Sequence, residues 1–135
     1  GAGGDTVQDS KPLVDDNGNL SMEGNEIQDF TKEIVAANTG ANYEIDWKVA
    51  TLFELTLTDS PTITFANLAA GRSITLILIQ DGTGSRTVTW PASIDWPSAT
   101  APTLSTGASD VDVIDMFVRN DGTTVLGFET GLDMG

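Results

Sequence analysis

The residues of this chain that could do chemistry are few in kind. It contains no histidine and no cysteine. That removes the imidazole base, Ser-His and Cys-His pairs, the thiolate nucleophile, the disulfide framework and the zinc knuckle. Carboxylates remain, 20 Asp and Glu against 6 Lys and Arg, for a net charge of −14. The densest cluster, Asp15-Asp16-Asn17-Gly18-Asn19, offers oxygens at alternate positions as a calcium loop does. An EF-hand loop needs glycine sixth and a bidentate glutamate twelfth, whereas counting from Asp15 the sixth residue is Leu20 and the glycine falls fourth. An ordinary Asn-Gly reversal accounts for these residues, and no metal site is expected.

Gly82-Thr83-Gly84 lacks the strand, GxGxxG and helix context of a phosphate cradle and has no lysine after it. A carboxylate pair for glycoside cleavage would draw on Asp95, which lies between Trp90 and Trp96 in the long loop from Pro91 to Asp110. Such chemistry also needs a cleft and a raised pKa, and 20 acids supply chance pairs freely. No catalysis and no cofactor is therefore expected. In Trp90-Pro91 and Trp96-Pro97, proline forces extended backbone before it and so fixes a large ring in place. Such rings serve packing in the core or between subunits. They also serve recognition, and Trp90, Asp95, Trp96, Ser98 and Thr100 are the candidate contact residues of the loop 91–109, whose Ser, Thr, Ala and Gly give an adaptable surface.

Charge narrows the partners. Nucleic-acid binding rests on clustered basic residues, and here Lys11, Lys32, Lys48, Arg72, Arg86 and Arg119 stand singly, so no nucleic acid is expected. No run approaches the roughly 18 apolar residues of a bilayer span, so a soluble chain with no membrane insertion is expected. Gly1-Ala2-Gly3-Gly4 has neither the basic nor the apolar region of a signal peptide. The absence of an initiator methionine leads us to expect a fragment or processed chain.

The elements that must position the loop follow from periodicity. Residues 1–46 carry ten acids and two lysines and few β-branched runs, which predicts an extended arm over residues 1–42. One short helix is predicted over Ile27 to Ala37, where Ile27, Phe30, Ile34 and Ala37 recur at spacings of 3, 4 and 3. From Tyr43 the apolar period is two: Tyr43, Ile45, Trp47 and Val49; then Phe53, Leu55 and Leu57; then Ile63 and Phe65. Ser73 to Gln80 is apolar on both faces apart from Thr75, which predicts a central strand covered on both sides. Arg86 to Trp90, Val111 to Arg119 and Thr124 to Glu129 complete the set. Asp81 to Gly84 and Asn120 to Gly122 read as hairpin turns between antiparallel neighbours. The expected fold is mainly β, an antiparallel, jelly-roll-like β-sandwich over residues 43–129 with a tail at 130–135.

The series Ile45-Asp46-Trp47, Phe53 to Thr58, Ile63-Thr64-Phe65, Ala70-Gly71-Arg72-Ser73, Leu76 to Asp81, Arg86-Thr87-Val88-Thr89-Trp90-Pro91, Trp96-Pro97, Ala101 to Ser105 and Gly127-Phe128 resembles a β module of bacteriophage tail-fibre and other virion surface proteins. Gly18 to Ile27 is similar to short stalk segments of phage fibres. The resemblance implies a homotrimer, bound to other virion proteins through its N-terminal arm and meeting a host-surface glycan or protein distally. It carries over no site residues. The reading is thus a trimeric tail-fibre segment or tip, located on the virion and assembled in the host cytoplasm. A head-decoration or head-fibre protein is the nearest alternative, and a free carbohydrate-binding module is the alternative of another class.

Overall fold

A computed structural model describes residues 33–135 and, as backbone, two short strands before them. The chain divides into two units, residues 1–31 and residues 32–135. In the first, β1 (Leu13–Val14) pairs antiparallel with β2 (Leu20–Ser21). The reversal expected at Asp15 to Asn19, like the residues Ile27 to Lys32 of the expected helix, lies outside the described residues.

The second unit holds β3 (Ile34–Asn38), β4 (Asn42–Asp46), β5 (Leu52–Leu57), β6 (Thr62–Ala66), β7 (Ser73–Gln80), β8 (Ile94–Asp95), β9 (Val111–Val118) and β10 (Val125–Gly131). Six of these form one sheet in the order β3-β5-β7-β9-β10-β8, and β4 with β6 forms a second. From β3 to β7 the chain alternates between the sheets. Each strand is laid parallel beside the one two places earlier, β3 with β5, β5 with β7 and β4 with β6. The antiparallel expectation is thus corrected to mixed sheets. Spacing with turns between strands is the same for a hairpin and for a winding coil. What distinguishes them is that a parallel pair needs a crossover, and here the strand on the other sheet supplies it. The turns close the coil with bonds between successive windings, Thr39 N to Thr56 O and Thr62 N to Ala41 O, both 3.0 Å.

Four further expectations change. Asp81 to Gly84 does not close a hairpin, because Gln80 and Asp81 hold the turn in another shape. The Gln80 amide donates to Arg86 O (2.9 Å) and Ser105 O (2.8 Å), and Arg86 N donates to Gln80 Oε1 (2.8 Å). The chain then crosses to the smaller sheet, where Arg86 to Trp90 makes only a single parallel bridge, Thr89 to Thr62, instead of a strand. The predicted helix is strand from Ile34 onward, since Val35 and Ala37 alternate toward the core and the backbone pairs along β5. Val49 lies exposed in a turn, because β4 ends at Asp46.

Asn120 to Gly122 does close a hairpin, joining β9 to β10 as antiparallel neighbours, with Gly122 at φ +73. The alternation holds where it matters. Phe53, Leu55 and Leu57, then Ile74, Leu76 and Leu78, then Ile114, Met116 and Val118 face one buried cluster, which Ile45, Trp47 and Ile63 of the smaller sheet complete. Each such side chain contributes about 1.5–3 kcal/mol on burial. β7 is covered on one face only. Ile74, Leu76, Leu78 and Gln80 are buried, while Thr75, Ile77 and Ile79 on the other face are half-exposed.

Candidate functional site

The loop 91–109 starts from a pair of indoles. Trp90 and Trp96 meet edge to face with centroids 5.3 Å apart, and both are half-buried against the core. Trp96 has the extended backbone that its following proline demands, φ −94 and ψ 153. Its ring lies over Gly127 of β10, where a Cβ would stand 2.6 Å from Cζ3 and 2.8 Å from Cε3. The close approach of ring to backbone requires glycine at that position.

After Trp96 the chain makes a single 3-10 turn, Pro97–Ala99, and both Ser98 and Ala99 adopt φ 56, the left-handed region that costs a non-glycine residue about 1–3 kcal/mol. Three hydrogen bonds hold that turn. Ala99 N donates to Trp96 O (2.9 Å), Thr100 N to Pro97 O (3.2 Å) and Thr100 Oγ1 to Ser98 O (3.2 Å).

β8 pairs with β10 only at Ile94 with Val125 and Asp95 with Leu126. Beyond Leu126 that edge of β10 is flanked by the Trp96 to Pro102 turn instead of a strand. There Trp96, Pro97, Thr100, Pro102, Phe128 and Glu129 line a half-open pocket of about 230 Å³. Directly after Glu129 the β9 to β10 register shifts at a bulge, a device that re-aims neighbouring side chains. Phe128 is 39% exposed and meets Phe117 edge to face at 5.9 Å. A shallower depression of about 440 Å³ lies along β3 and β5, lined by Ala36, Ala37, Asn38, Glu54 and Thr56.

Of the five candidates from the sequence, the structure brings Trp96 and Thr100 into the pocket, and Trp90 stands behind Trp96 as its support. Asp95 on β8 and Ser98 in the turn are exposed and do not line it. Phe128 and Glu129 were missed because nothing in the sequence links them to a loop that ends at Ser109. Gly127, a glycine interrupting an apolar strand, was the readable sign of a close approach. The pocket presents one carboxylate, whereas glycoside cleavage works through a pair. Among the described residues no group of three or more His, Cys, Asp or Glu could hold a metal ion.

The outward side of the six-stranded sheet is a second feature. Ile77 lies beside Val113, Ile79 beside Val111, and Phe117 beside Leu126. These side chains are half-buried or exposed, Phe117 to 47%, and none belongs to the buried cluster.

Residues 28–123 match the model of a family described as "Putative phage tail fibre C-terminal domain". The chain belongs to that family. The match takes in the parallel coil, the loop 91–109 and β9 of the tail-fibre domain, and stops before β10. Neither the curated proteins nor the solved structures gave a match. As a phage tail-fibre domain the chain is a structural component of the tail and hence of the virion, and its family points to a structural role instead of an enzymatic one.

Proposed function

We propose that this tail-fibre domain works as a homotrimer at the distal end of its fibre, with the arm ahead of the sheets joining it to other virion proteins and the loop 91–109 meeting the host surface. In this reading the two sheets that share a core are the layers of a sandwich, and the fibre assembles in the host cytoplasm. The observation that carries the trimer is the outward face of β7 and β9, where Ile77, Ile79, Val111 and Val113 form a contiguous branched apolar patch. Apolar side chains left partly open side by side on an outward sheet face are the kind of surface a partner covers. A closed ring of identical chains covers such a patch on every copy. An interface of roughly 800 Å² per partner would be of ordinary size. The supporting geometry for host contact is the Trp96 pocket, a concave site on a rigidly held turn.

The test of the trimer is the mass of the whole chain in solution by light scattering. A mass three times the 14.2 kDa of the chain is the expected result. A monomer at micromolar concentration would overturn it.

A further inference from the structure

We infer that the pocket between Trp96 and Phe128 binds one uncharged pyranose ring of a hydroxyl-rich glycan. This deepens the reading of the loop 91–109 as the host-contact element and rests on it. The size of the pocket decides the first point. At about 230 Å³ it falls below the roughly 300–1,000 Å³ of drug-sized sites, so it holds one ring and leaves the rest of a chain outside. Its walls decide the second. Trp96, Phe128, Pro97 and Pro102 give flat apolar surfaces, and the electron-rich face of an aromatic ring attracts the C–H face of a sugar.

Polarity decides the third point. Two side chains of the pocket carry oxygen, Thr100 and Glu129. Thr100 Oγ1 already donates its proton to Ser98 O at 3.2 Å, so toward a ligand it accepts. The Glu129 carboxylate, when ionised, only accepts. Side-chain oxygens that only accept favour a ligand rich in donors, which sugar hydroxyls and acetamido N–H groups provide. Phosphates and carboxylates bring further acceptors. They also bring negative charge to a chain of net −14 and to a pocket lined by no Lys or Arg, so they are repelled. The site therefore discriminates against phosphorylated and acidic sugars and takes neutral ones.

Preorganisation supports the same conclusion. Trp96 is held by Trp90, by the glycine beneath it and by the proline after it, so little freedom remains to be lost on binding. The hydrogen-bonded turn at Ser98 and Ala99 fixes Thr100 in the same way.

The experiment is saturation-transfer NMR on the whole chain with the methyl glycosides of glucose, galactose, mannose and N-acetylglucosamine, and with glucuronate and glucose 6-phosphate as the acidic set. Saturation of at least one neutral glycoside, and of neither acidic sugar, is expected. Glu129→Gln and Phe128→Leu leave the circular dichroism spectrum unchanged and weaken that binding, Glu129→Gln by about tenfold, the effect of losing a charged hydrogen-bond acceptor. Equal saturation by the acidic set, no saturation by any neutral glycoside, or undiminished binding by Glu129→Gln would each overturn the inference. Phage adsorption to cells separates it from the reading it rests on. If Thr100→Arg abolishes adsorption while no neutral glycoside binds the unaltered chain, the pocket inference fails and host contact stands. If a neutral glycoside binds but adsorption is indifferent to Thr100→Arg, the pocket's ligand is confirmed and host contact fails.

Discussion

The Trp96 indole lies directly over Gly127, so close that a single methyl group on that glycine would stand 2.6 Å from the ring. Two segments far apart in the chain are thereby locked together, and the lock is also one wall of the candidate pocket. Gly127→Ala forces ring or strand to move, and overpacking of this kind costs about 1–3 kcal/mol. Denaturant unfolding should show that loss. In a Trp96→Phe background the smaller ring relieves the clash, so the cost of Gly127→Ala should shrink. Residues in contact couple, and strictly additive effects would mean that the two do not press on each other.

Asp112 makes a second long-range tie. Its side chain is 1% exposed and accepts from Ser105 N (2.8 Å), Ser105 Oγ (2.7 Å) and Asp133 N (3.2 Å). One buried carboxylate thus anchors both the end of the loop 91–109 and the C-terminal residues. Asp112→Ala takes the acceptor from the Ser105 N–H and one of the two acceptors from the Asp133 N–H, whose other is the Ser105 hydroxyl at 2.9 Å, and this costs about 1–3 kcal/mol. Amide hydrogen exchange should accelerate at Ser105 and around Asp133 in that variant, with β5 and β7 little changed. Uniform acceleration across the sheet would show that Asp112 supports the whole fold instead of these two segments.

Acid should weaken the domain through particular turns. Asp81 is held below the ordinary carboxylate value, first by its hydrogen bond from Arg86. Asp121 is held well below it by the backbone N–H groups of Thr124 and Thr123, and Asp46 by the Asn67 side chain and the Lys48 N–H. A folded value below the unfolded one means that the ionised form is favoured by folding. The stability it contributes is complete above about pH 4 and is lost as the pH falls through the depressed folded value. Protonation also relieves the self-repulsion of a chain of net charge −14, which acts in the opposite direction. The measurement is therefore a difference. Stability of Asp121→Asn relative to the unaltered chain should be lower at pH 6, and the gap should close as the pH falls below 4. A gap independent of pH would assign the effect to turn geometry alone.

The core was legible because burial on a strand alternates with period two whatever the strand pairs with. Phe53, Leu55 and Leu57 face inward as their pattern requires. Pairing was not legible, because the register that sets Thr56 beside Ile79 and Ile45 beside Phe65 depends on where the chain crosses, which no local residue encodes. The spacing of Ile34 and Ala37 fits a helix face, yet Val35 and Ala37 also alternate. Pairing along β5 settled the matter for strand, as tertiary context does for short apolar runs. Half of the pocket was visible in the Trp-Pro pairs of the loop. The other half, Phe128 and Glu129, arrives only through the parallel pairing of β8 with β10, a contact between residues near 95 and residues near 126.

The outward patch on β7 and β9 gives the most direct test of assembly. Ile77 and Val113 are register neighbours pointing away from the buried cluster. A lysine at either position meets water in a lone protomer and keeps its charge solvated, so Ile77→Lys and Val113→Lys should leave the protomer folded, with surface-level changes of about 0.5 kcal/mol or less. Between subunits the same charge would be buried without a partner, a cost of several kcal/mol for each interface it enters. The proposed trimer should therefore give way to folded monomer in both variants, read by light scattering alongside circular dichroism. Thr58→Lys, at an exposed position outside this patch, should leave the mass unchanged. Trimers that persist in both patch variants would place the subunit contact elsewhere. Variants that fail to fold even as monomers would mean that Ile77 and Val113 are covered by their own chain.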